Sequence, residues 1–122
     1  MLRQSSGAVL LTTRPAGKPF AGYWEFPGGK IETSETAEQA LTRELQEEIS
    51  IYAEEFHFAW TETHRYPHAD VALHFYWVSQ WQGIPRPLEG QQLMWITCEQ
   101  AWPYPILPAT VPLLEQIRNY RA

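Results

Sequence analysis

Gly28 to Ile51 reads GGKIETSETAEQALTRELQEEISI. Six of the chain's 14 acidic residues fall within it: Glu32, Glu35, Glu38, Glu44, Glu47 and Glu48. Only Lys30 and Arg43 oppose them there. Ala37, Leu41, Leu45 and Ile49 recur at helical spacing, so an amphipathic helix is expected from a cap at Thr33 or Ser34 to about Ile49. With Glu44 at zero on a 100° wheel, Glu48 falls near about +40° and Glu47 near about −60°, beside an apolar stripe from about +20° to about +140°. The three carboxylates share a face, and Glu44 and Glu48 border its buried side. Like charges there repel and resist ionisation. A hard divalent cation reverses that balance, because Mg²⁺ and Mn²⁺ prefer carboxylate oxygen. A solvated acidic helix fits the helix alone equally well. The wider pattern Gly29, Glu35, Arg43, Glu44, Glu47, Glu48 separates the two readings, since it arises by chance only roughly once in 10⁷ starts.

Outward from the helix, the chain reads as alternating strands and turns. Ala8 to Thr13 is a short, partly β-branched buried strand, and Arg14 to Tyr23 a loop punctuated by Pro15, Gly17, Pro19 and Gly22. Phe56, Phe58 and Trp60 alternate as in a strand. Val71 to Trp81 is a second aromatic-rich strand, and Leu93 to Thr97 a short third one. Thr110 is expected to cap a last helix to about Arg121, with Pro112 in its first turn. The order predicts a mixed α/β (α+β) sandwich, one domain over residues 1–122.

The chain has 122 residues and a formal net charge of −5, which argues against polymeric nucleic acid as a partner. The lone Cys98 excludes an internal disulfide, and no apolar run reaches membrane-spanning length. The expectation is a cytoplasmic protein with no membrane partner. The four histidines, His57, His64, His68 and His74, lack tight metal spacing.

The acidic pattern resembles the signature of the Nudix hydrolases, G-x5-E-x7-R-E-U-x-E-E-x-G-U with U bulky and apolar. Gly29, Glu35, Arg43, Glu44, Leu45, Glu47, Glu48 and Ile51 match it, while Ser50 stands where the family has Gly. Trp24 to Glu32 looks like the MutT branch, which hydrolyses oxidised purine nucleoside triphosphates. The likeness runs on through Glu89-Gly90-Gln91, Trp95 and Leu107-Pro108-Ala109. It implies a mixed sheet sandwiched between helices.

The resemblance implies Glu44, Glu47 and Glu48 as metal ligands or acid/base groups. It adds the Gly28 carbonyl and Glu89 as further ligands of Mg²⁺, with Mn²⁺ a substitute. Glu35 and Arg43 are implied as an ion pair that shapes the loop–helix–loop. Arg14 and Lys30 are candidates for phosphate, and Phe26 for the base, with Trp24 or Tyr66 as possible flanks. Thr110 occupies the place of an Asn that reads the purine edge, and a hydroxyl has fewer hydrogen-bonding options than an amide. The implied reaction converts a nucleoside triphosphate, such as 8-oxo-dGTP, to a monophosphate and pyrophosphate. Another diphosphate-linked nucleotide as substrate, or a non-catalytic binding module, are the alternatives.

Two departures carry expectations. Ser50 in place of Gly should cost up to about 1 kcal/mol at the helix end. The family's first strand is expected to be missing, the chain starting in the following turn at Met1 to Gln4. The resulting sheet gap invites weak dimerisation, so a monomer or weak homodimer is expected.

Overall fold

The computed structural model describes residues 1–65, 67 and 70–118, apart from the side chains of 64 and 71. The elements are β1 (Val9–Thr13), β2 (Trp24–Glu25), α1 (Ala37–Ile49), β3 (Tyr52–Arg65), β4 (Asp70–Gln82), β5 (Leu93–Ile96), a 3₁₀ turn at Glu99–Ala101, and α2 (Val111–Arg118). β1 pairs antiparallel with β2 on one side and β5 on the other, and β3 and β4 form a long antiparallel hairpin.

The N-terminal residues join these two sheets. Leu2 bridges Val78 in parallel, and Arg3 bridges Val9 antiparallel. The Met1 carbonyl accepts from Val78 N–H at 2.9 Å, and the Leu2 carbonyl from Leu10 N–H at 3.1 Å. The turn begins only at Gln4, whose carbonyl accepts from Gly7 N–H at 2.9 Å. Met1 to Arg3 thus belong to the sheet rather than to the expected turn. They fill part of the expected gap. The Met1 ammonium donates to the Tyr76 carbonyl at 2.6 Å, and burial pulls its pKa down to about 5.

β1 is buried on both faces because a helix covers each. Leu10 packs with Leu45 and Ile49 of α1, and with Leu2 and Val78. Val9 and Leu11 turn the other way, towards Leu114 and Ile117 of α2. This period-two split explains why every residue from Val9 to Leu11 is apolar. Each fully buried Leu or Ile contributes about 1.5–3 kcal/mol.

α1 starts later than expected. Thr36 is its N-cap: its Oγ1 accepts from Gln39 N–H at 3.1 Å, and Gln39 Oε1 accepts from Thr36 N–H at 2.9 Å. This reciprocal box satisfies two donors that a helix start leaves open. Ser34 cannot cap because it sits in a left-handed turn with φ 71°. The helix ends at Ser50, left-handed with φ 61° and ψ 35°. At the other end of the chain, Thr110 opens α2 with its backbone, its carbonyl accepting from Leu113 and Leu114 N–H at 3.0 and 3.1 Å. The stretch 119–121, expected to be helical, lies outside the described residues. No described helix is long and apolar enough to cross a membrane.

Candidate active site

Four segments deliver the site. The Pro27-Gly28-Gly29 turn after β2 lies against the last turns of α1. The loop after β4 brings Glu89 to the same place, and the loop before α2 closes the far wall. Between them lies a cavity of about 1040 Å³. Arg14, Phe26, Gly28, Lys30, Glu48, Glu89 and Thr110 line it, whereas the expected ligands Glu44 and Glu47 do not.

The α1 wheel explains the acids. Ala40 is 2 % exposed, at about −40° on the wheel above. The buried arc is therefore wider than the Ala37–Leu41–Leu45–Ile49 stripe, and Glu44 and Glu48 stand inside it rather than at its border. Glu47 lies beyond Ala40, and its side chain is 57 % exposed. The three carboxylates expected on one face thus divide into two covered groups and one at the rim.

Glu48 is the most perturbed of the acids. Burial, opposed by a 2.9 Å hydrogen bond from Gly28 N–H to its Oε2, pushes its pKa up, and Glu44, Glu89 and Glu25 push it further, to about 8. It also lies in the last turn of α1, which holds no basic residue, at the negative end of the helix dipole. Gly28 thus contributes its N–H to Glu48, in addition to the carbonyl expected of it.

Arg43 organises the other side. It grips Glu35 at both carboxylate oxygens, Nε to Oε2 at 2.8 Å and Nη2 to Oε1 at 2.9 Å. Its Nη1 donates to Glu44 Oε1 at 2.8 Å and Glu47 Oε2 at 3.2 Å, and its Nη2 to the Lys30 carbonyl at 3.1 Å. Arg43, aided by the N–H of Glu32, holds Glu35 down at about 2. Hydrogen bonds to Glu35 and Glu44 raise Arg43 above its ordinary value. One guanidinium therefore fixes the loop, the helix and one oxygen of Glu44 at once.

The donor set suits a hard divalent ion: neighbouring carboxylates, no sulfur, and the Glu48 carboxyl, raised to about 8 by burial first and by the acids around it second. Among the described residues no three acids, histidines or cysteines stand close enough to close a cage by themselves. Glu89 is exposed on its loop.

Of its two readings, core or flank to a base, Trp24 takes the first. It is buried in the core, edge-on to Tyr104 at 6.2 Å. Tyr66 and His68 lie outside the described residues. Three features go beyond the sequence reading. Glu25 lines the cavity, bonded to Arg14 Nη1 at 3.2 Å, and burial raises its pKa. Tyr76, which lines the cavity, donates its OH to Glu38 Oε1 at 2.9 Å and ties β4 to α1. Gln91 is buried behind Glu89. Only Glu25 had a local signal, its β2 alternation with the inward Trp24.

A profile of the NUDIX domain matches residues 1–117. The chain belongs to the Nudix family. It is 39 % identical to the CTP pyrophosphohydrolase of Escherichia coli over 98 % of this chain and 88 % of that protein. It is 38 % identical to the 8-oxo-dGTP diphosphatase of Haemophilus influenzae over the same shares. The solution structure of the E. coli ORF135 protein superposes with a TM-score of 0.85 at 38 % identity, covering 99 % of this chain and 86 % of that one. This Nudix chain is therefore a MutT-like pyrophosphohydrolase with a mixed α/β fold. Nudix hydrolases generally use divalent metal ions.

Proposed function

We propose that the chain hydrolyses a nucleoside triphosphate to a monophosphate and pyrophosphate, with Mg²⁺, or Mn²⁺ in its place. The observation that carries this reading is Glu48, half-buried at the edge of a nucleotide-sized cavity, its carboxyl resisting ionisation through burial and through the charges of Glu44, Glu89 and Glu25.

Glu44, Glu47, Glu48, Glu89 and the Gly28 carbonyl are the proposed ligand set. When bound, the ion neutralises phosphate charge and acidifies water. Arg14 and Lys30 hold phosphate oxygens from the cavity wall, and Phe26 gives the base an apolar surface. Glu35 and Arg43 touch no substrate; they hold Glu44 and the Lys30 backbone in place. One of the Glu44–Glu48 carboxylates takes the proton of the attacking water. The water oxygen joins phosphorus, and the bond to the departing pyrophosphate oxygen breaks.

The proposed substrates include oxidised purines such as 8-oxo-dGTP, which would make the chain a cytoplasmic guardian of the nucleotide pool. A second reading, a pyrimidine triphosphate such as CTP, draws on the E. coli relative and on Thr110 in the cavity wall. Pyrophosphate release from 8-oxo-dGTP, dGTP, CTP and a nucleotide sugar, with Mg²⁺ and with chelator, tests both. Metal-dependent release from a triphosphate is expected. Turnover of the nucleotide sugar alone would overturn the proposal.

A further inference from the structure

Gln91 is 7 % exposed and spans two segments of the site. Its Oε1 accepts from the main-chain N–H of Glu89 at 2.8 Å. Its Nε2 donates to the main-chain carbonyl of Glu48 at 2.9 Å. One partner is a donor and the other an acceptor, so the network admits a single orientation of the amide. The same Glu48 carbonyl accepts from Leu88 N–H at 3.1 Å, and the Ile49 carbonyl from Arg86 N–H at 2.9 Å. The loop is thus sewn to the end of α1, and Gln91 adds a buried side chain to these main-chain links. Gly90, at φ 76°, turns the chain so that the residues on either side of it can meet through this bond.

Glu48 and Glu89 come from separate elements and repel one another, so nothing electrostatic keeps them together without a cation. An Arg or Lys in place of Gln91 would tie them but cancel the negative charge. An amide ties them and leaves that charge intact.

We propose that Gln91 is a positioning residue for the divalent-metal site, setting the spacing of Glu48 and Glu89 through their main chains. This rests on the reading of those two residues as metal ligands.

The test is titration calorimetry of Mn²⁺ into metal-free protein, with melting curves to show that each variant is folded. Gln91→Met keeps the length and removes both bonds. Gln91→Glu keeps the acceptor for Glu89 N–H and, once ionised, loses the donor to Glu48, while Gln91→Asn, an amide one methylene too short to span both partners, takes the place of either variant that fails to fold. By charge alone Gln91→Glu should bind Mn²⁺ more tightly. Positioning demands the opposite: about 10-fold weaker binding or more in both variants. The loss should shrink when Glu89→Gln has already removed the loop carboxylate, as expected of coupled residues. Tighter or equal binding by Gln91→Glu, or an undiminished loss in the Glu89→Gln background, overturns the proposal. Should wild type bind Mn²⁺ and the variants match it, the Gln91 proposal alone falls. Should wild type bind none, the metal-site reading falls as well.

Discussion

A β-carbon built on Gly29 would overlap the carboxyl carbon of Glu44 and stand 2.5 Å from each of its oxygens. Glycine is required there by close approach, since no left-handed φ is involved. Glu44 can swing aside only by giving up the 2.8 Å hydrogen bond from Arg43 Nη1 to its Oε1. Gly29→Ala should therefore leave folding nearly intact, the obstacle being a side-chain end, yet displace the carboxylate. Displacement on the ångström scale costs about 10²-fold in rate. We expect kcat/KM for the preferred triphosphate to fall by about that factor with melting within a few degrees of wild type. Full activity in Gly29→Ala would show that Glu44 has no fixed place in the reaction.

Glu48→Gln separates charge from shape. The amide oxygen still accepts from Gly28 N–H, and no carboxylate is left facing Glu44 and Glu89. The metal-free variant should melt no lower than wild type, as is common where a function-bearing residue is unfavourable for stability. Stabilisation by added Mg²⁺ should disappear, and kcat should fall by about 10²–10⁴-fold. Scanning calorimetry with and without Mg²⁺ reads the first two, and an equal Mg²⁺-induced shift in both proteins contradicts the site.

Glu35 sets an acid limit. Its pKa is held down at about 2 in the folded chain, chiefly by Arg43, against an ordinary value near 4.5. A depressed carboxyl binds fewer protons folded than unfolded, so its contribution is full above about pH 4.5 and lost as pH falls through about 2. Wild type should therefore exceed Glu35→Gln in melting temperature at pH 7, and the two curves should converge towards pH 2. A gap that stays constant from pH 7 to pH 2 would mean that the Glu35 charge carries none of the difference.

The helix end offers a gain instead of a loss. Ser50 sits at φ 61°, where its β-carbon is crowded and glycine would not be. Its N–H already caps the Gln46 carbonyl at 3.2 Å, a bond that Gly keeps, whereas its hydroxyl accepts a long 3.5 Å bond from Arg86 Nη2. Ser50→Gly should raise stability by about 1 kcal/mol, about 3–6 °C in melting temperature for a chain of this size. Urea unfolding with an unchanged slope and an unmoved midpoint would discount the left-handed cap.

Signals of this kind were readable in the chain because they are local. The Gly29–Glu48 spacing lies within one turn and one helix, while a short apolar run exposed β1, alternation β3 and aromatic content β4. Cap position was equally local: Thr36 and Gln39 stand in T-x-x-Q spacing, but Thr33 and Ser34 compete in composition, and only the backbone at Ser34 removes them. Ala40 widened the buried arc unforeseen because alanine marks neither face of a helix. The Glu48–Gln91 bond joins residues 43 apart, and the Arg14–Glu25 pair depends on the β1–β2 register. Neither long-range pairing has a period to betray it. Met1 to Arg3 entered the sheet because Val78 and Val9 offered open backbone partners on both sides, a tertiary fact absent from a three-residue segment.

Thr110 decides between the two substrate readings. It is 4 % exposed and lines the cavity, while its backbone alone opens α2, its N–H donating to the Leu107 carbonyl at 2.8 Å. On the proposed reading, the Thr110 hydroxyl meets the base from this wall. A hydroxyl offers one rotatable donor and its lone pairs, whereas Asn offers a fixed acceptor and a fixed donor pair. Sites built on matched hydrogen bonds discriminate far more sharply than those built on shape. Wild type should therefore prefer 8-oxo-dGTP over dGTP only weakly, and Thr110→Asn should widen that ratio by about 10-fold or more, on the scale of one hydrogen bond worth about 1.5 kcal/mol. Activity on CTP should change in the opposite direction if the small Thr side chain is what admits a pyrimidine. Measuring kcat/KM for the three nucleotides in both proteins settles the matter, and ratios unchanged by Thr110→Asn would remove this residue from base recognition.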